Sequence, residues 1–409
     1  MQTNENRLGY KKTKVGWIPD DWKCASLGDA FSQRKTRGEP ELHVFSVTQD
    51  RGLVRRDQVD RRVASSLTSE ECLLVEPGDF AYNMMRMWQG AVDLCTERGV
   101  VSPAYVVCRP RITAAFPPFM LRYFKSPMGL YKLWSYSYGL TNDRLRLYFN
   151  DFCHVPAPLP PLPEQEVIAG VLKCWDKAIR TYEAKIAKKQ NIKRGLMQRL
   201  LSGNQRLLGF AEEWTEVRLG EICDVLDNQR KPLNEEARSS MQGDIPYYGA
   251  NGILDHINDY VFDEELILIA EDGGHFEEFA TRPIAQLIKG RTWVNNHAHV
   301  LRAKNGENAF VFFSLVHRNI LKHLNGGTRA KLNKSELLSI RVGYTTQDEQ
   351  QAIASLLSVA EAEINTLDRK LAVLKEQKRF LSNNLVTGSL RLPEFRIKNS
   401  ELGIEEWER

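Results

Sequence analysis

Glu164-Gln165-Glu166-Val167-Ile168-Ala169 and Glu349-Gln350-Gln351-Ala352-Ile353-Ala354 are two versions of one segment, 185 positions apart. The correspondence continues for about forty residues, as an internal repeat should. Lys193-Arg194 falls on Lys378-Arg379, Leu196 on Leu381, Leu200 on Leu385, Gly203 on Gly388, and Arg206-Leu207 on Arg391-Leu392. An earlier echo sets Asp20-Asp21-Trp22 and Leu27-Gly28-Asp29 against Glu212-Glu213-Trp214 and Leu219-Gly220-Glu221, and Glu405-Glu406-Trp407 begins the motif a third time. The 409 residues are therefore a tandem duplication with a period of roughly 190, each copy a globular block followed by a long helical one.

The helical blocks carry a narrow apolar seam. Ile168, Leu172, Trp175, Ile179, Tyr182, Ile186, Lys189, Lys193, Leu196 and Leu200 alternate spacings of four and three. So do Ile353, Leu357, Ala360, Ile364, Leu367, Leu371, Leu374, Lys378, Leu381 and Leu385. A seven-residue repeat kept up for about five heptads is the mark of a coiled coil. A helix lying only on its own globular block would show a wider stripe. Pro161 and Pro163 suit a helix start, and Thr346 with Glu349 has the pattern of a capping box. Gly203 and Gly388 stand where a left-handed residue closes a helix. About 38 residues make a rod of roughly 57 Å, and two such helices in one chain most simply pair with each other.

The expected fold is thus α+β: two mixed α/β globular domains separated by two long helices that pair as an antiparallel coiled coil. The first domain takes 1–160, the central helix 161–203, the second domain 204–345 and the C-terminal helix 346–390, with a tail, 391–409, returning to the first domain. Val100-Val101, Tyr105-Val106-Val107, Leu266-Ile267-Leu268-Ile269 and His299-Val300-Leu301 read as strands. Beyond their first and last segments the two blocks share little identity.

The formal charge of +4 conceals a sharp division. Residues 204–281 carry 5 Lys and Arg against 18 Asp and Glu, whereas 282–341 carry 11 against 2. In the first block, 109–146 has seven basic residues and one acid, Asp143. Both basic stretches precede a long helix and contain aromatics, Asn, Thr and Gly, as in Tyr136–Arg144 and Asn325–Asn333. Arg and Lys reach guanine edges and phosphates, Asn pairs with adenine, and Gly lets backbone approach a phosphate. A nucleic acid is the ligand this chemistry suits. The acidic stretch should face solvent or a basic protein.

Catalytic signatures are missing. No Gly-Lys pair supports a phosphate-binding loop, and no His-Glu-x-x-His, Gly-x-Ser-x-Gly or Asn/Asp-Pro-Pro-Tyr/Phe element occurs. His297 and His299 share one face of a strand, but carboxylate or cysteine partners at ligand spacing are lacking, so they read as core or hydrogen-bonding residues rather than metal ligands. Glu271-Asp272-Gly273-Gly274 reads as a turn. Seven cysteines without a Cys-x-x-Cys suggest reduced thiols and a cytoplasmic protein, and no apolar run has the ~18–20 residues that span a bilayer. At 42% hydrophobic and 26% charged, the chain is globular rather than disordered. No catalytic and no metal-binding residues are assigned. The alternative is a self-contained DNA-cleaving or DNA-modifying enzyme with an unrecognised active site.

Two variable blocks alternating with two near-identical long helices resemble the specificity subunit of type I restriction-modification systems. Tyr10–Trp22, Pro158–Gln165 and Lys193–Gly203 are similar to that family's opening, its approach to the first central helix and that helix's end. The second approach, Thr345–Gln350, lacks the Pro-Leu-Pro run. The resemblance implies two target recognition domains, each reading half of a bipartite DNA site, and a helical spacer that docks two methyltransferase (modification) subunits and motor-nuclease restriction subunits. The chain itself would be non-catalytic and hold no cofactor; S-adenosylmethionine, ATP and Mg would belong to the partners. A rod of ~57 Å, less its covered ends, suits recognition surfaces about one duplex turn apart, roughly 34–36 Å. Chemistry and loop position nominate Arg34, Arg37, Arg86, Tyr138, Asn142 and Arg144 as DNA contacts in the first block. Tyr247, Asn251, Asn296, Arg329 and Lys331 are nominated in the second.

Overall fold

The computed structural model describes residues 8–58, 67–141, 144–325 and 330–395. Asn142, Arg329 and the third echo at Glu405–Trp407 lie outside the described residues. The chain forms two compact units. Unit 1 draws on residues up to Thr181 and from Leu371 onward, and unit 2 is Tyr182–Lys370.

The two long helices, Leu162–Leu200 and Gln347–Leu385, have 39 residues each, and each unit takes one part of each helix. Along their seams Ile168, Leu172, Ile179, Ile186, Leu200, Ile353, Leu357, Ile364, Leu367 and Leu385 are buried. Trp175, Tyr182, Leu196, Leu371, Leu374 and Leu381 are half-buried. The helices run antiparallel. In unit 1 the N-terminal half of the first packs Ile168 and Leu172 in the same core as Leu385 and Leu381 of the second. In unit 2, Leu196, Met197 and Leu200 share a core with Ile353, Ala354 and Leu357.

The lysines that interrupt the heptads are placed by charge. In unit 2, Lys189 meets Glu363 at 2.7 Å and Lys193 pairs with Glu361. In unit 1, Lys378 lies 2.5 Å from Asp176, which also binds Arg122. Burial pushes the Asp176 pKa up, but the hydrogen bonds from Lys378 and Arg122 outweigh it and hold the carboxyl below its ordinary range. A long side chain buries its methylene stem in the seam and leaves its ammonium at the edge, where a facing carboxylate fixes the register.

Each block holds two four-stranded sheets with one topology. In unit 1, Phe31–Arg34, Tyr105–Pro110, Phe80–Asn83 and Val92–Leu94 lie in that order, and in unit 2 Cys223–Val225, Ala298–Ala303, Leu266–Ala270 and Ala285–Ile288 do. The second sheet repeats as well. Val44–Thr48 pairs parallel with Gly99–Val101 as Gln242–Gly249 pairs parallel with Arg291–Val294, with antiparallel strands at both edges. Leu266–Ala270 is buried at every position, the pattern of a strand covered on both faces. The same fold is thus built twice from blocks with little shared sequence.

The repeated residues converge at the helix starts. In unit 1, Glu164 is fully buried and accepts from Trp22 Nε1 at 2.9 Å and from Arg391 Nε and Nη2 at 3.0 and 2.6 Å. The other edge of Arg391 meets Asp21 at 3.0 and 2.9 Å. In unit 2, Glu349 is fully buried and accepts from Trp214 Nε1 at 3.1 Å and from Arg206 Nε and Nη2, both at 2.7 Å. The hydroxyl that meets Glu349 is Thr345, at 2.6 Å. The Thr346–Glu349 capping box is therefore corrected: the carboxylate turns inward to the arginine and indole rather than back to the chain. Burial pushes the Glu349 pKa up, but the Arg206, Thr345 and Trp214 hydrogen bonds prevail and hold it low. Next to each Glu, the Gln braces a loop: Gln165 accepts from Phe116 N at 2.8 Å and donates to the Ala114 and Pro160 carbonyls at 3.0 and 2.8 Å.

Gly203 and Gly388 close the helices at φ +74° and +72°. A β-carbon at Gly388 would come within 2.5 Å of Pro19 and 3.1 Å of Trp22, and one at Gly203 within 2.9 Å of Trp214. The glycines thus serve both the turn and the seating of the tryptophan.

Arg391→Ala leaves Glu164 buried without its main cation, which costs about 3–5 kcal/mol. Hydrogen exchange resolved by segment should show protection falling in unit 1 and unchanged in unit 2, with Arg206→Ala giving the reverse. Equal loss in both units for either variant would refute separate closure of the two.

Candidate nucleic-acid interface

In each block the chain doubles back in a short hairpin shortly before its long helix. In unit 1 this follows helix Pro127–Ser135: Tyr138 and Arg146 exchange backbone hydrogen bonds of 3.1 and 2.9 Å. In unit 2, Leu324–Asn325 pairs with Lys331–Leu332. The second arm of each hairpin rests on the turn after an equivalent strand. Leu147 N donates to Met84 O at 2.9 Å, just past Phe80–Asn83, and Leu332 N donates to Glu271 O at 2.8 Å, just past Leu266–Ala270. Each hairpin leads into a six-residue helix, Phe149–His154 or Lys334–Ser339. Two loops of unlike sequence are thereby presented by one backbone plan.

The hairpins gather most of the nominated residues. In unit 1, Tyr138 is 56% exposed with its ring 5.9 Å from that of Tyr148, and Arg144 is exposed on the same hairpin. Arg86, also exposed, lies in the turn that supports it and donates to Gln89 at 3.0 Å. Arg146, not nominated, is exposed and reaches the Tyr148 hydroxyl at 3.3 Å. Tyr131 and Trp134, likewise missed, are exposed with rings 5.9 Å apart. Aromatic faces beside guanidinium groups suit both base stacking and phosphate contact. The basic run at 109–146 already contained this signal; what it lacked was which residues the hairpin turns outward.

In unit 2, exposed Lys331 reaches Glu271 at 3.0 Å, and exposed Asn251 donates to Gly273 O at 2.9 Å. Asn296 is exposed, its carbonyl accepting from Arg230 at 3.3 Å, and neighbouring His297 lies 2.8 Å from Asp272. These residues surround the 271–274 turn beneath the hairpin.

Two nominated residues are withdrawn on the geometry, and a third is left apart. Tyr247 is 1% exposed, with its hydroxyl accepting from Leu233 N at 3.0 Å, so it belongs to the core. Arg34 grips Asp79 at 2.5 and 3.3 Å, and its side chain is only 12% exposed. Arg37 is exposed but bound to the Glu71 carbonyl and bridged to Leu73, apart from the hairpin.

Carboxylates do approach His299, contrary to the reading from spacing. His299 is 2% exposed; its Nδ1 lies 2.6 Å from Asp227 and 3.8 Å from Glu271, and its Nε2 lies 2.8 Å from Leu332 O. One ligand atom from each of Asp227, Glu271 and His299 lies within 4.8 Å of the others. The protein's own cations answer them: Arg230 meets Glu271 at 2.8 Å and Asp227 at 3.5 Å, and Lys331 meets Glu271. The cluster fastens the hairpin base to the sheet. Burial pushes the Asp227 pKa up, but the hydrogen bonds from His299 and Val300 N exceed it and hold the carboxyl low.

Residues 211–376 match the family model described as the type I restriction modification DNA specificity domain. A putative type I restriction enzyme specificity subunit of Haemophilus influenzae is 34% identical over 171 residues, so the match spans 41% of this chain and 41% of that relative's length. A putative type I restriction enzyme MjaX specificity subunit of Methanocaldococcus jannaschii is 23% identical over 94% of this chain and 97% of that one. Among solved structures, the type I restriction-modification S subunit from M. genitalium shares the fold, with a TM-score of 0.62 at 15% identity over 94% of this chain and 98% of that one. The duplicated two-block architecture with paired helices is a fold shared with that S subunit. The chain is thus similar to type I restriction-modification specificity subunits in sequence over residues 211–376 and in fold over nearly its whole length.

An Asp whose folded pKa is depressed stabilises the fold above its unfolded pKa and loses that contribution as pH falls through the folded value. Unit 2 should accordingly lose hydrogen-exchange protection at Ala298–Ala303 below roughly pH 4. Asp227→Asn should flatten that dependence while lowering stability at neutral pH, and His299→Ala should cost about 2–3 kcal/mol. An unchanged acid profile in Asp227→Asn would remove the carboxylate from this account.

Proposed function

We propose that this chain is the DNA-sequence specificity subunit of a type I restriction-modification complex, reading a bipartite duplex site with one half assigned to each unit. The observation that carries this is the pair of equivalent hairpins, alike in backbone support and unlike in the side chains they present. Such an arrangement keeps one docking geometry and lets the base contacts differ. The long helices set the spacer and dock two methyltransferase subunits, to which motor-nuclease restriction subunits add. The chain recognises and does not itself transform: S-adenosylmethionine, ATP and Mg act in the partners. Its DNA substrate puts its work in the cytoplasm, and among the described residues no helix is long and apolar enough to cross a membrane.

Filter binding against salt tests the reading: affinity should fall steeply, and each lost phosphate contact should reduce the slope by about one. Methylome sequencing of the host with and without the gene supplies the two half-sites. Arg144→Ala with Arg146→Ala should weaken binding at one half-site only, and Lys331→Ala at the other. Equal losses at both would reject modular reading. DNA cleavage by the purified chain with metal alone would establish the enzyme alternative instead.

A further inference from the structure

Both units build the same hairpin, but only unit 1 surrounds it with rings. Residues 316–343 of unit 2 contain no Phe, Trp or Tyr, whereas residues 122–149 of unit 1, a stretch of equal length, contain eight. Tyr123 and Phe124 belong to the core. Tyr131, Trp134, Tyr138 and Tyr148 are exposed. The four stand as two pairs. Tyr131 and Trp134 lie three positions apart on helix Pro127–Ser135 and so share a face, with ring centroids 5.9 Å apart and planes inclined by 33°. Tyr138 and Tyr148 flank the hairpin, also 5.9 Å apart and inclined by 40°. Ser137 Oγ donates to Leu133 O at 2.7 Å and ties the helix to the hairpin.

Exposed apolar residues scattered singly call for no explanation; rings paired among cations do. Residues 125–148 carry Lys125, Lys132, Arg144 and Arg146 against one acid, Asp143. The patch therefore suits a ligand that is both planar and negatively charged. A paired duplex presents base edges and phosphates, while its base faces are shut inside the stack. The unit 2 hairpin offers Asn325 and Lys331 with no ring, so a hairpin built to read edges does not need one. Unpaired bases satisfy both parts of the patch, since each brings a π-face for a ring and a phosphate for a cation. At 5.9 Å the rings of a pair leave less than two stacking distances of about 3.4 Å. A base therefore lies on the outer face of a pair and not between its rings.

We propose that unit 1 holds unpaired bases of a DNA strand on these two ring pairs, with Arg144 and Arg146 on the phosphates, and that unit 2 has no such activity. This rests on the nucleic-acid reading of the hairpins and adds a second form of ligand to it, a strand whose bases are out of the duplex.

The test titrates the full chain with an oligothymidylate of about 12 nucleotides, within the span that single-strand sites cover, and with a duplex carrying both half-sites. Tyr131→Leu with Trp134→Leu keeps apolar bulk and removes the rings. Its affinity for oligothymidylate should fall at least about fivefold, and by more than its affinity for the duplex. Tyr138→Leu with Tyr148→Leu should do the same, and Tyr131→Phe with Trp134→Phe should retain binding. Lys331→Ala in unit 2 should show the opposite order, losing more on the duplex. Unchanged oligothymidylate affinity in both Leu variants would overturn the proposal. Equal losses on the two ligands would overturn it as well, returning the rings to duplex contact. Duplex binding without any oligothymidylate binding by the unaltered chain would overturn it and leave the specificity-subunit reading standing. Failure to bind either ligand would overturn the nucleic-acid reading on which both rest.

Discussion

A fully buried carboxylate at the start of each long helix is the constraint around which the rest is arranged. Glu164 and Glu349 each sit in a core where an unpaired charge is untenable, so each must be met by an arginine and an indole. The tryptophan comes from the opening of the block, but the arginine comes from beyond the end of a long helix. Arg206 follows the first helix and closes unit 2, and Arg391 follows the second and closes unit 1. Each unit is thus completed by residues that follow a long helix, and unit 1 draws on both ends of the chain while unit 2 is continuous from Tyr182 to Lys370.

The seam follows from that closure. Beyond the ends that lie in the units' cores, the seam residues Ile179, Ile186, Ile364 and Leu367 are also buried. The lysines at three seam positions look like flaws in an apolar repeat, yet each has a carboxylate across from it. Such pairs add little stability near a surface. A shift of one residue would move every lysine away from its acid, so they discriminate between registers instead. The ion pairs therefore contribute a single register more than they contribute stability.

The framework was legible because it is written twice. Identical residues 185 positions apart exposed the helices, their glycine ends and the Glu-Gln pair before any geometry was known. The boundaries of closure were less visible: nothing in Thr346 or Glu349 shows that the carboxylate would turn inward, because burial is decided by what packs above it. Tyr247 and Arg34 failed as DNA contacts for the same reason. Their side-chain types suit a nucleic acid, but a buried hydroxyl bond and an aspartate had already claimed them. The Asp227–His299 contact joins residues 72 positions apart, beyond any spacing rule. Which residues of the basic stretch face outward was likewise hidden, so exposed Arg146 and Tyr131 were not singled out.

The two hairpins keep one backbone plan while presenting unlike side chains. In unit 1 the arm is held to its supporting turn by the Met84 carbonyl, and the exposed face is aromatic and cationic. In unit 2 the same backbone bond, from Glu271, is reinforced by the Lys331 ion pair and by His299 beneath Leu332. Backbone support carries no sequence information, so it tolerates any side chain on the outward face. The polar cluster in unit 2 fixes the arm from below, where the aromatic packing of unit 1 fixes it from the side. Rigid presentation is therefore achieved by different means in the two units.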